Sequence, residues 1–278
     1  MWPNYFFQEV EASIDDLIEH VVALPDRELL LLAPRDGEAL LTEEAFERDE
    51  FMPYWAELWP SALALARVIA RRPLTGRRTV ELGCGLGLPA IAAAAAGGRV
   101  LATDWAPESV AMTARNAERN GVVLATRLFR WACAPEPLGP PWPLVLASDV
   151  LYEQRNVAPL LALLPRLTAA GGEVWLADPG RAPAAGFLEA AAARWRVDAI
   201  PHDGPAHVTV HRLRLGTVPI QVRDRSGGSP RQVRDVRDSR KLLSRASERA
   251  ASRSAAPATS TRPATRPKIP PGLAYSLR

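Results

Sequence analysis

Between residues 60 and 215 the apolar positions follow two alternating rhythms. "RTVELG", "RVLATD", "VVLATRLF", "LVLASD" and "GEVWLAD" are short apolar runs of strand length. The segments between them read as helices. "LPAIAAAAA" is a run of small residues, and "PESVAMTARNAERNG" opens on proline and closes on Asn-Gly, both good helix punctuation. "NVAPLLALLPRL" sets Val157, Leu160, Leu161 and Leu164 on one helical face, with Pro165 expected to kink or end it, and "AAGFLEAAAAR" reads as a further helix. Ahead of the first strand, "WPSALALARVIARRP" carries Pro60 in its first turn, Leu65, Val68 and Ile69 at helical spacing, and Pro73 as its stop. At the other end "WRVDAIPHDGPAHVTVHRLRL" predicts two strands around Asp203-Gly204. Strand–helix alternation of this kind requires a mostly parallel sheet covered by helices on both faces, and the closing hairpin turns the last strand antiparallel. The expected fold class is therefore α/β.

The two ends follow other rules. Residues 1–50 read as an N-terminal extension in which two apolar runs flank Asp36-Gly37, a hairpin-turn signal. Residues 51–216 form the expected α/β domain. From residue 217 to 278 the chain is rich in Arg, Ser, Ala and Pro, with Tyr275 as its one aromatic residue. Such a segment buries too little apolar surface to offset ordering, so a disordered basic tail is expected.

Charge sharpens that division. The net charge of +3 combines a tail with 14 Lys and Arg against 4 Asp and Glu and a body, residues 1–216, with 20 against 27. The folded part is acidic. Solvated disorder is the simpler reading of the tail's arginines, and nucleic acid is not the expected partner. The two cysteines, Cys84 and Cys133, have no metal-type spacing and cannot form a framework of bridges, which fits a reducing compartment. The first residues lack the basic head and apolar stretch of a secretory signal, and no apolar run reaches the roughly 20 residues a membrane helix needs. A cytoplasmic monomer without membrane association is the expectation.

The chemistry is concentrated in "TVELGCGLGLP". Gly83, Gly85 and Gly87 recur at every second position, and Glu81 stands two residues before the first. A strand ending in such a loop and opening a helix lets a ligand touch backbone. A dinucleotide loop wants G-x-G-x-x-G and a diphosphate on the helix N-terminus. Glu81 would repel that diphosphate, whereas it suits a ligand with an ammonium group and no phosphate, such as S-adenosylmethionine. Asp104, closing the next strand 21 residues after Gly83, can accept hydrogen bonds from ribose hydroxyls. It would serve NAD equally well, so Glu81 and the glycine spacing carry the distinction between a methyltransferase and a nicotinamide-dependent oxidoreductase.

With "PYWAELWPSALALAR", "VELGCGLGLPAIAAA", "ASDVLYE" and "ADPGR", the chain resembles class I S-adenosylmethionine-dependent methyltransferases. Within them it is similar to the family-16 protein lysine methyltransferases, and to the branch that modifies the β-subunit of electron transfer flavoprotein and its bacterial relatives, over about residues 50 to 215. The resemblance implies a Rossmann-like fold with seven strands ordered 3-2-1-4-5-7-6. It implies S-adenosylmethionine as cosubstrate and a protein substrate with an accessible lysine, a small-molecule amine being the alternative. The family's D-x-x-Y motif falls on Asp149 and Tyr152, which it makes the catalytic candidates beside the transferable methyl. Trp59 resembles a residue near the cofactor's amino-acid end, and Trp131 one that packs on adenine. Trp105, next to Asp104, and Ala147, two residues ahead of Asp149, complete the cofactor-binding candidates with Glu81, the three glycines and Asp104.

Each has a plainer rival. Trp59 and Trp131 can be core packing, Asp149 and Tyr152 can cap the following helix, and Asp178 and Arg181 either bind substrate or, the slightly preferred reading, simply shape the turn around Pro179-Gly180. His207 and His211 share a strand face without a carboxylate or cysteine partner in sequence, so no metal site is expected.

Overall fold

The computed structural model describes residues 16–37, 40, 53–135 and 138–215. The tail from 217 to 278 lies outside the described residues. Two strands, β1 (Leu17–Ala23) and β2 (Glu28–Pro34), form an antiparallel hairpin. There follow α1 (Pro60–Ala70), β3 (Arg78–Leu82), α2 (Leu88–Ala95), β4 (Arg99–Asp104), α3 (Pro107–Arg119) and β5 (Ala125–Leu128). The second half comprises β6 (Trp142–Ser148), α4 (Val157–Leu167), β7 (Thr168–Asp178), α5 (Ala182–Ala191), β8 (Trp195–Ile200) and β9 (Thr209–Leu215).

The last seven strands make one sheet in the order β5-β4-β3-β6-β7-β9-β8, with β9 antiparallel to both its neighbours. This is the predicted α/β arrangement, with the closing hairpin reversing the final strand. Period-two alternation sorts the side chains. On β6, Leu144 and Leu146 join the core beneath α1 and α2, while Val145 and Ala147 join the core beneath α4 and α5. Among the described residues no helix is long and apolar enough to cross a membrane.

Helix boundaries follow the sequence punctuation closely. Pro60 and Pro107 each open a helix at a position whose N–H has no intrahelical partner, and α3 stops before Asn120-Gly121. Pro165 sits inside α4 rather than ending it. The helix closes two residues later, so the lost backbone bond falls in a turn that would fray in any case.

The structure forms an N-terminal hairpin upstream of Asp36-Gly37. Its turn lies at Leu24–Arg27, where Leu24 N–H donates to the Arg27 carbonyl at 2.8 Å, and Asp36-Gly37 follows the second strand. Pro25 and Asp26 are the residues that make this turn, since proline presets the first central φ of a tight turn. The apolar run after Gly37 lies largely outside the described residues. The free edge of β2 is satisfied by the amide side chains of Asn116 on α3 and of Asn120 just after it. Asn120 accepts from Leu30 N–H and donates to its carbonyl (2.9 and 2.7 Å), and Asn116 does the same at Leu32 (2.8 and 3.0 Å). Val22, Leu29 and Leu31 then share the core of the main sheet. The hairpin edge is thus closed by side chains instead of a third strand.

Candidate active site

Strand order reverses between β3 and β6, and the carboxyl ends of β3, β4, β6 and β7 converge there. In open α/β sheets this is where ligands bind. A cavity of about 280 Å³ opens at this point.

The glycine loop forms one wall. Gly83, Gly85 and Gly87 all have positive φ (68°, 54° and 87°), which explains the residue type at each. Their surroundings differ. A Cβ on Gly83 would lie 3.1 Å from Val150 and 3.3 Å from Trp131, so this glycine lets the tryptophan close over the loop. A Cβ on Gly85 would meet only the Trp55 carbonyl at 3.4 Å. Gly87 does not line the cavity. A Cβ there would sit 2.8 Å from Thr113 Cγ2 and 2.9 Å from its hydroxyl, so the third glycine serves the contact between α2 and α3. Gly87→Ala should therefore destabilise by about 2–4 kcal/mol, combining a left-handed backbone with overpacking, and Gly85→Ala by only about 1 kcal/mol. Equal melting temperatures for the two variants would show that Gly87 has no such packing role.

Glu81 departs from the expected placement. It is fully buried on β3 and is not among the cavity-lining residues, so it lies behind the loop and not at the mouth. Its Oε2 accepts the Ala90 N–H at 2.9 Å, capping the first turn of α2. Its Oε1 is buried without a partner. Burial pushes the carboxyl well above its ordinary range; the Ala90 amide opposes this and the Asp104 charge adds to it. A buried, half-satisfied carboxylate is costly until it meets a cation or takes a proton. That orphaned oxygen is the feature that fits an ammonium-bearing cosubstrate.

Asp104 does line the cavity, at the end of β4. Its two oxygens accept from the Gly85 and Ala106 amides, each at 3.1 Å, which ties the glycine loop to the second strand. Burial pushes this carboxyl up while those amides pull it back. Trp105 and Trp131 line the same space, and the Arg130 guanidinium lies 5.4 Å from the Trp105 ring centroid. Ala147 is buried in the core under α4, and its neighbour Ser148 takes the wall position.

Asp149 follows β6 immediately. Its N–H continues the ladder to the Ala177 carbonyl at 3.0 Å, but its φ of 56° is the only positive value at a non-glycine among the described residues. Aspartate tolerates this region better than most side chains, and such strain concentrates at functional positions. Its Oδ1 is paired with Arg181, and its Oδ2 is buried without a partner. Tyr152 lines the cavity on the same loop, with its ring centroid 5.2 Å from that of Tyr54. Burial holds the Tyr152 hydroxyl above its ordinary pKa, so it is a neutral donor at physiological pH. Trp59 Nε1 donates to the Tyr54 carbonyl at 2.6 Å, curling the aromatic segment over the opening.

Several lining residues carried no assignment from sequence: Tyr54, Trp55, Leu58, Cys84 and Ser148. A signal did exist for the first group. Aromatic residues are only 6% of the chain, yet positions 54, 55 and 59 are all aromatic. For Arg181 the turn reading was half of the answer. Asp178 Oδ1 accepts the Gly180 and Arg181 amides (2.7 and 2.9 Å), while the guanidinium reaches across to Asp149.

A reversed strand order, a glycine loop with a buried acid behind it, and an acid closing the next strand define a class I S-adenosylmethionine-dependent methyltransferase. Residues 47–186 match the sequence profile of the lysine methyltransferase family, and the chain belongs to that family. Among curated relatives, the electron transfer flavoprotein beta subunit lysine methyltransferase of Danio rerio is 36% identical over 134 residues, 47% of this chain and 51% of that protein. Its counterpart in Xenopus laevis is 32% identical over 187 residues, 64% of this chain and 70% of that protein. The chain thus spans between half and about two thirds of these relatives. The T. thermophilus 16S rRNA N2 G1207 methyltransferase shares the fold, with a TM-score of 0.54 and 13% identity over 72% of this chain and 51% of that one.

Proposed function

We propose that residues 51–216 transfer a methyl group from S-adenosylmethionine to the side-chain amine of a lysine in a protein. The observation that carries the acceptor side is the unpartnered Oδ2 of Asp149, buried in a cavity ringed by Tyr54, Trp59 and Tyr152. A flat aromatic ring with one free carboxylate oxygen inside it suits a long apolar stem tipped by an amine.

S-adenosylmethionine, when bound, supplies a methyl on a positively charged sulfur. Glu81, behind the loop, would act on its ammonium through its charge, Asp104 would accept from its ribose hydroxyls, and Trp131 would stack on its adenine, a contact worth roughly 0.5–1.5 kcal/mol. The acceptor nitrogen must attack as a neutral amine, although lysine is normally protonated at pH 7. Its lone pair forms the new N–C bond as the C–S bond breaks, the sulfur keeps the bonding electrons, and the amine proton passes to water. Asp149 orients the nitrogen, Tyr152 and Tyr54 exclude bulk water, and the loop holds the alignment. A diphosphate at the glycine loop fits badly beside the Glu81 charge.

The relatives' substrate supplies the first acceptor to try. Purified protein, labelled S-adenosylmethionine and purified electron transfer flavoprotein β-subunit should yield a lysine heavier by one methyl in mass spectrometry. Transfer confined to free amines would replace the protein substrate with a small molecule, and calorimetric binding of NAD without binding of S-adenosylhomocysteine would overturn the class of reaction. We further propose that the enzyme works in the cytoplasm as a monomer and that nucleic acid is not its substrate. Both cysteines are free thiols, Cys84 buried and Cys133 exposed, which suits a reducing compartment.

A further inference from the structure

Among the described residues, Arg181 is the one basic side chain on the cavity wall, beside the acidic Glu57, Asp104, Asp149 and Glu153. It is held at both ends. Asp178 Oδ1 caps its backbone N–H, and Asp178 Oδ2 lies 3.7 Å from its guanidinium. The guanidinium is paired with Asp149 Oδ1 and lies 6.0 Å from the Trp59 ring centroid. A side chain pinned through backbone, carboxylate and ring is a fixed part of the wall and not a loose gate.

Resting on the methyl-transfer reading, we propose that Arg181 is a positioning residue that clamps Asp149 by one oxygen and offsets its charge, so that an amine at the other oxygen gives up its proton more readily. The physical need is specific. A bare Asp149 carboxylate would hold the acceptor as ammonium, which binds well but has no lone pair. A carboxylate already shared with a guanidinium still accepts one hydrogen bond at Oδ2 but attracts a second cation less strongly. The other titratable and charged groups on or beside this wall are Glu57, Asp104, Tyr152 and Glu153, the last paired with Arg155, together with Asp178 at the end of β7 and His211 beside it on β9. Burial lowers the His211 pKa against the pull of Asp178, so it adds no positive charge near neutral pH. Arg181 is thus the principal local counterweight to Asp149.

The test uses a ligand that carries its own amine, and so needs no acceptor protein. Sinefungin resembles S-adenosylmethionine with a protonatable amine in place of the methyl-bearing sulfonium, whereas S-adenosylhomocysteine has only a neutral sulfur there. Calorimetry on the full chain should show Arg181→Gln binding sinefungin about tenfold more tightly relative to S-adenosylhomocysteine than wild type does. One unit charge a few ångström away has an effect of that order at a partly exposed site. Arg181→Lys, which keeps the charge and loses the fork, should leave the ratio within about threefold. An unchanged ratio in a folded Arg181→Gln protein overturns the inference, because a purely structural arginine would weaken both ligands together. Failure of wild type to bind either ligand would overturn the cosubstrate assignment and this inference with it.

Discussion

Glu81→Gln is expected to make the protein more stable and much worse at holding its cosubstrate. The carboxyl is fully buried, one oxygen caps α2, and the other has no partner. Glutamine keeps an acceptor for the Ala90 amide and removes the buried charge, at the cost of an amide group left to find partners. A melting temperature raised by about 2–6 °C is the expected scale for relieving one or two kcal/mol in a domain of this size. Affinity for S-adenosylmethionine should fall by about 30-fold, the scale of losing one nearby opposite charge in a buried setting. Stability obtained by removing a functional charge is a recognised trade.

The pH dependence has a definite sign. Folding raises this carboxyl's pKa, so the folded state binds the proton more tightly than the unfolded chain does. Wild type therefore loses stability as pH rises above the unfolded value near 4.3, and the gap to the variant should be widest at neutral pH and close below about pH 4. Thermal unfolding across that range, with calorimetric titration of cosubstrate, checks both parts. A variant that melts lower and binds as before would leave Glu81 as a helix cap and nothing more.

Asp149→Asn is expected to reduce turnover by about 100- to 1,000-fold while S-adenosylhomocysteine affinity stays within about threefold. Asparagine tolerates the left-handed backbone, keeps a carbonyl for Arg181, and lacks the charge that orients an amine. Asp149→Ala should lose turnover likewise and also melt lower, because alanine at φ 56° costs about 1–2 kcal/mol. Single-turnover rates beside ligand affinities separate the two effects. If cofactor binding collapsed with turnover, Asp149 would belong to the cofactor site and not to the acceptor.

The positions of these residues relative to one another divide what the sequence contains from what it does not. Period and punctuation are local properties, so the alternation of strands and helices, the proline starts at 60 and 107, and the Asn-Gly stop after α3 were legible along the chain. So was the chemistry of the glycine loop, because its residues are adjacent and its acidic partner comes one strand later. The Pro25-Asp26 turn is a second turn signal within a dozen residues of Asp36-Gly37, and local sequence does not rank the two. Only pairing of β1 with β2, and the Asn116 and Asn120 amides on its far edge, selected Pro25-Asp26.

Function-bearing contacts between distant segments were not legible. Asp149 and Arg181 come from the ends of different strands, 32 residues apart, and which charge meets which depends on the β6–β7 pairing and the turn that Asp178 ties. Whether Gly87 faced a ligand or Thr113, and whether Glu81 stood before or behind the loop, depended on the packing of α2 against α3 and on which face of β3 each side chain took. The sequence by itself determined the strand–helix succession, the bare loop and the acids that serve it, since each rests on neighbours in the chain. Tertiary structure alone decided which of those groups were left unpaired, because a buried atom's partners are set by packing across the sheet.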